Sequence, residues 1–117
     1  MRNFKEYLVW QKSMELTVVI YDVTNKFPSE EKFGLISQIR RAAVSIPSNI
    51  AEGAGASTQK HFGEYLQRGL GSAFEVETQL LLSKRLNYIS EDVANKIIEQ
   101  IAEVQKMLAS LIKMLKE

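Results

Sequence analysis

The 117-residue sequence has no cysteine, one histidine, two prolines and one tryptophan. Without cysteine, disulfides and thiolate metal sites are excluded, and the missing disulfide framework fits a cytoplasmic location. The single histidine, His61, has no second histidine or cysteine to complete a zinc site or a catalytic triad. No apolar run approaches the roughly 18 residues needed to span a bilayer, so no membrane association is expected. The opening stretch MRNFKEYLVWQKS mixes charges into its apolar residues, unlike a secretory signal. An excess of one charge is also lacking. Fifteen basic residues against fourteen acidic ones leave a net charge of +1, so nucleic acid or anionic lipid would have to be bound by a local patch. What remains is a composition of 45% hydrophobic and 25% charged residues, ordinary for a globular protein. The length suits a single domain, residues 1–117, and no internal repeat interrupts it.

Four stretches carry helical periodicity. In the last, from Ser90 onward, Ile97, Ile101, Val104, Leu108, Leu111 and Leu115 step by four and three, widened by Ile98 and Ile112. Ser90 is a good N-cap, Glu91 and Asp92 occupy the first turn, and Lys113 and Lys116 the last, all matching the helix dipole. The third stretch, residues 58–86 with Ser57 as the expected N-cap, carries Phe62, Leu66, Gly69, Ala73, Val76 and Leu80 as its stripe. Glu64 and Arg68 are spaced for a surface pair, and Asn87 is a stop. Gly63, Gly69 and Gly71 each cost about 1 kcal/mol of helix propensity, tolerable where a neighbouring backbone comes close. The second stretch, residues 30–54, sets Ile36, Ile39, Ala43, Ile46 and Ile50 on one face and Gln38, Arg41, Ser45, Ser48 and Glu52 on the other. Pro47 removes a donor and crowds the Ala43 carbonyl, so a bend is expected there, with Ser45, Ser48 and Asn49 placed to help the disturbed backbone. The first stretch, residues 5–26, is β-branched between Leu16 and Val23 and could be a strand on propensity. Helical spacing of Leu8, Leu16, Val19, Val23 and Phe27, and of Tyr7, Trp10, Met14 and Tyr21, favours a helix that buries two faces; a lone strand would have no partner. Short connections then specify an all-α, antiparallel up-down-up-down four-helix bundle whose second helix bends near Pro47.

The run from Gln38 to Gly53, QIRRAAVSIPSNIAEG, resembles the signature of the bacterial four-helix-bundle family known as 23S rRNA intervening sequence proteins. Phe27-Pro28, Phe33-Gly34-Leu35, the run from Gly71 to Leu80, and Phe4-Lys-Glu through Val9-Trp10-Gln11-Lys12 extend the resemblance over essentially the whole chain. It implies a left-handed up-and-down bundle that assembles into a ring-like homopentamer. Some members are encoded inside intervening sequences of 23S rRNA genes, and a similar fold occurs in the basic accessory proteins of diversity-generating retroelements. The near-zero net charge of this chain departs from those retroelement relatives.

The polar residues within this pattern are candidates for structure or interaction rather than catalysis. Arg40 and Arg41 suit phosphate or carboxylate equally. They either engage RNA backbone or pair with acidic residues of another helix or subunit. Glu75 and Glu77 point about 200° apart on a helix and form no carboxylate pair. Glu77 lies between Phe74 and Leu81 and needs a partner if buried, for which Arg40 or Arg41 is the expectation. Asn49 and Glu52 complete the set. The stretch Gly53-Ala-Gly-Ala-Ser-Thr58 lacks the ending of a phosphate-binding loop and reads as a hinge. Phe4, Tyr7, Trp10 and Tyr21 read as core or subunit contacts rather than base-stacking platforms. No cofactor is expected. The function expected is that of a non-enzymatic homo-oligomeric scaffold, pentameric by resemblance, with an RNA-associated role as the alternative.

Overall fold

Four α-helices occupy the four periodic stretches: α1 (Leu8–Thr24), α2 (Leu35–Ala54), α3 (Gln59–Arg85) and α4 (Glu91–Lys116). The computed structural model describes residues 2–117, and no strand occurs among them. Each helix packs beside its two neighbours around a square, and among the described residues the backbones of the diagonal pairs, α1 with α3 and α2 with α4, do not come close. The bundle measures 43 × 24 × 19 Å. Contacts between neighbours run in opposite senses: Thr17 meets Ala43 while Thr24 meets Arg40, and Glu77 meets Gln105 while Lys84 meets Asn95. Successive helices are therefore antiparallel.

The apolar stripes of α2 and α3 are buried as their spacing predicts, from Ile36 to Ile50 and from Phe62 to Leu80. The stripe of α4 shifts at its end: Ile112 is buried and Leu111 only half-buried, because a straight helix drifts away from a strict seven-residue repeat. The larger correction concerns α1. Its buried line is Val9, Ser13, Leu16, Ile20 and Thr24, while Leu8, Met14, Val18 and Tyr21 are exposed. One face is buried, not two. In a square of four helices each member has only one corner directed at the core. The aromatic residues at the start of the chain pack over the end of that core, with Phe4 edge-on to Trp10 at 5.3 Å and Tyr7 edge-on to Phe62 at 5.8 Å.

The helix ends are set by local chemistry. Residues 4–6 form a 3-10 turn capped by the Asn3 side chain, and extended Tyr7 separates it from α1. Before α2, residues 29–31 form a second 3-10 turn, and Gly34 breaks it from the helix with φ −110° and ψ −112°. The side chain of Glu31 replaces a conventional cap. Its Oε1 accepts from the Leu35 amide at 3.1 Å and its Oε2 from the Tyr88 hydroxyl at 2.8 Å. That second bond ties the start of α2 to the α3–α4 connection, beside a small cluster of Phe27, Leu35 and Ile36. Thr58, not Ser57, caps α3, its hydroxyl accepting from the His61 amide at 3.1 Å; the chain turns helical one residue later than expected. Asn87 ends α3 with φ 62°, and the Tyr88 amide reaches back to the Ser83 carbonyl at 3.0 Å, a left-handed stop in which asparagine is favoured. Ser90 caps α4 through the Val93 amide.

The seam between α2 and α3 is closest at Gly53. A Cβ there would lie 2.7 Å from Cβ of Tyr65 and 3.3 Å from the Phe62 carbonyl oxygen, whereas one at Gly71 would meet nothing within 4 Å. Opposite effects follow from the same substitution. Gly53→Ala is expected to destabilise by about 1–3 kcal/mol through overpacking, and Gly71→Ala to stabilise by up to about 1 kcal/mol through helix propensity, both read by thermal unfolding.

The two hydrogen bonds accepted by Glu31, first from the Leu35 amide and then from Tyr88, hold its carboxyl below its ordinary value. The same bond raises the Tyr88 phenol. A carboxyl depressed in the folded state contributes stability above its unfolded pKa and loses it as pH falls through the folded one. Urea unfolding at a series of pH values is expected to show wild type more stable than Glu31→Gln at neutral pH. The difference should vanish on the acid side of the ordinary glutamate range.

Candidate interaction surface

Pro47 lies inside α2 and is buried. It has no amide to give the Ala43 carbonyl, and that carbonyl is met from another helix: the Thr17 hydroxyl of α1 lies 3.2 Å from it while also donating to the Ser13 carbonyl at 2.8 Å. One turn on, Asn49 donates its side-chain amide to the Ser45 carbonyl at 2.8 Å and to the Ser45 hydroxyl at 2.9 Å, and that hydroxyl is bonded to Ser72 of α3 at 2.9 Å. The vacancy left by the proline thus becomes a bond between α1 and α2, and the polar residues beside it bond α2 to α3. Of the three residues expected to help, Asn49 bonds a backbone carbonyl, though that of Ser45 and not of Ala43. The Ser45 hydroxyl bonds only the Asn49 and Ser72 side chains, and Ser48 makes no side-chain bond among the described residues. Thr17 is the residue that reading the chain stretch by stretch misses.

The two arginines part company. Arg40 turns toward the C-terminal end of α1, where the helix dipole is negative. Its Nε donates to the Thr24 hydroxyl at 2.8 Å, its Nη2 to Asn25 Oδ1 at 3.0 Å and the Tyr21 carbonyl at 3.3 Å, and its guanidinium lies 4.6 Å from the Tyr21 ring centre. Arg41 is exposed and makes no ion pair among the described residues. It lies between two grooves. One, of about 620 Å³, is lined by Tyr21, Lys32, Phe33, Val44 and both arginines. The other is a polar cleft between α2 and α3 that also contains Gln38 and Glu75.

The expected partnership of Glu77 with an arginine does not form within the chain. Glu77 accepts from the Gln105 side chain of α4 at 2.8 Å, because its position on α3 directs it across the α3–α4 seam and away from α2. Nor do Glu64 and Arg68 pair; the Arg68 guanidinium stacks 4.8 Å from the Tyr65 ring instead. Glu52 is exposed, its backbone carbonyl accepting from the Gly55 amide at 3.2 Å. The ion pairs among the described residues, Lys12–Glu103 at 3.3 Å and Lys84–Glu91 at 3.5 Å, are largely exposed and of small energetic weight. Among the described residues no three His, Cys, Asp or Glu side chains gather as a metal site would require.

The exposed apolar side chains have the clearest pattern. Phe33 is 89% exposed in the turn before α2, Val18 is 62% exposed on α1, and Met14, Tyr21 and Val44 are also exposed. Met14, Val18 and Tyr21 follow helical spacing, and Tyr21, Phe33 and Val44 line one groove. On α3, Phe74 and Leu81 are exposed one turn either side of Glu77. The signal for Phe33 was its place outside the apolar phase of α2, next to a helix-breaking glycine.

The profile of the family described as 23S rRNA-intervening sequence protein matches residues 5–110. The chain belongs to this family. A 23S rRNA-intervening sequence protein thus has all four helices within the matched span or overlapping it, and the signature run around Pro47 is the stretch whose polar side chains join α1, α2 and α3. Among solved structures, the chain is similar to a protein of unknown function from the S23 ribosomal protein family of Bacteroides thetaiotaomicron, known from a crystal structure. The two share 34% identity with a TM-score of 0.84, over 91% of this chain and 96% of that one. No curated protein matches the chain.

The Thr17 bond has a measurable consequence for this family member. Thr17→Val should destabilise by about 1 kcal/mol, by removing the hydroxyl hydrogen that the Ala43 carbonyl shares with that of Ser13. In a Pro47→Ala background, where residue 47 again supplies an amide, the loss should shrink. A double-mutant cycle in urea measures that coupling.

Proposed function

We propose that this 23S rRNA-intervening sequence protein is a non-enzymatic, homo-oligomeric scaffold, pentameric as its resemblance implies, working in the cytoplasm. The observation that carries the reading is the apolar row of Met14, Val18, Tyr21, Val44 and Phe33 on the α1/α2 side. Contiguous exposed apolar surface on a small bundle marks an interaction site, and a second copy is the partner always at hand. The non-enzymatic part rests on the kinds of side chain available. Glu75 and Glu77 stand on different sides of α3, the first beside Arg41 and the second bonded to Gln105. The lone histidine sits in the first turn of a helix. No helix is long and apolar enough to cross a membrane among the described residues.

A second reading, association with RNA, draws on Lys32 and Arg41, which share the α1/α2 groove with exposed Phe33 and make no ion pairs among the described residues. The family description adds an RNA-related context. Such binding would weaken steeply as salt is added.

Light scattering on the purified protein at tens of micromolar is expected to give a mass near five times 13.3 kDa. A clean monomer would overturn the scaffold reading. An unchanged electrophoretic mobility of structured rRNA fragments at low salt would remove the second one.

A further inference from the structure

Glu77 is half-buried, and the hydrogen bond it accepts comes from the neutral amide of Gln105. Exposed Phe74 and Leu81 stand one turn either side of it. The surroundings are thus apolar on both sides, and the carboxylate has no cation within 4.0 Å among the described residues. Across the bundle, Arg41 has the converse situation. It is a cation without an ion pair, on the rim of a groove whose apolar lining is Tyr21, Phe33, Ile36 and Val44.

These two surfaces lie on opposite sides, because α1 and α2 form one edge of the square and α3 and α4 the other. They also lie at one level along the bundle. The Ser45–Ser72 hydrogen bond marks a common height on α2 and α3. Arg41 is four residues before Ser45, about 6 Å along the axis, and Glu77 five residues beyond Ser72, about 7.5 Å along it. The helices are antiparallel, so both displacements run the same way. A copy set beside another, with its axis roughly aligned, would bring one surface against the other.

We propose that the α1/α2 side of one copy docks on the α3/α4 side of the next, Arg41 meeting Glu77 while Tyr21, Phe33 and Val44 cover Phe74 and Leu81. The proposal rests on the homo-oligomer reading and gives it its interface. Opposite charges set in matching apolar surroundings supply specificity and register. The contact is head-to-tail, since the two sides differ, and a head-to-tail contact gives a ring when the rotation between copies closes.

The test is a charge exchange read by light scattering, with circular dichroism to verify the fold. Arg41→Glu and Glu77→Lys are each expected to weaken self-association by about a hundredfold, and the double exchange to recover most of it. Glu75→Gln, which removes the acid that shares the α2/α3 cleft with Arg41 in its own chain, should leave assembly unchanged. A second measurement uses the absence of cysteine from the chain. Val44→Cys and Phe74→Cys proteins, mixed and mildly oxidised, should give disulfide-linked dimers, each alone none, and the doubly substituted chain a ladder. If wild type is monomeric, both the homo-oligomer reading and this interface fall. If wild type assembles, the interface alone falls when the single charge variants assemble equally well. It falls as well when the mixed cysteine variants do not link, or when either links to itself.

Discussion

The architecture turns on how closely α2 and α3 approach. Small residues line that seam: Gly53 lies against Tyr65 and Phe62, Gly69 against Asn49 and the Ile46 carbonyl, and Ser45 is bonded to Ser72. At Gly53 there is no room even for a methyl group, so the backbones are near their limit of approach. With this pair locked in register, α1 and α4 pack on its two open flanks, completing a square rather than a layer. The remaining apolar faces are then either covered by the neighbouring helix or left outward. The exposed side chains of α1 and α3 follow from this geometry and not from their own hydrophobicity.

Pro47 shows how a local defect becomes a tertiary bond. A proline inside a helix leaves a carbonyl four residues earlier without a donor, and water has little access to Ala43, which is fully buried. An unsatisfied buried carbonyl costs more than a typical hydrogen bond contributes. The Thr17 hydroxyl, sharing its one hydrogen between the Ser13 and Ala43 carbonyls, relieves part of that penalty only when α1 sits in one register against α2. The defect therefore selects a register for α1 that apolar packing alone would specify less sharply. Arg40 also joins α2 to α1, at the other end of their seam, through neutral oxygens of the closing turn of α1.

Charge is distributed with the same economy. The near-neutral total conceals an arginine without an ion pair on one side and a half-buried carboxylate without a cation within 4.0 Å on the other, among the described residues. Within one chain these groups cannot meet, because the bundle stands between them. Between chains they can, and that is the contact the proposed interface uses.

Periodicity alone was enough to specify four helices, the buried stripes of α2 and α3, and the cap at Ser90, because helix spacing and capping are local properties. The stop at Asn87 was legible for the same reason. The tertiary structure decided what depends on which helix stands beside which: that α1 buries only the face of Leu16 and Ile20, that Glu31 caps α2 while holding Tyr88, and that Glu77 bonds Gln105 instead of an arginine. Of the candidate residues, Arg41 was placed correctly on a polar face, whereas the role of Arg40 depended on where α1 ended. Thr17 carried no signal at all in its own stretch, where it is one more β-branched residue. Its value arises from the vacancy opposite it, twenty-six positions away in the chain, and a pattern read along one helix does not register a vacancy in another.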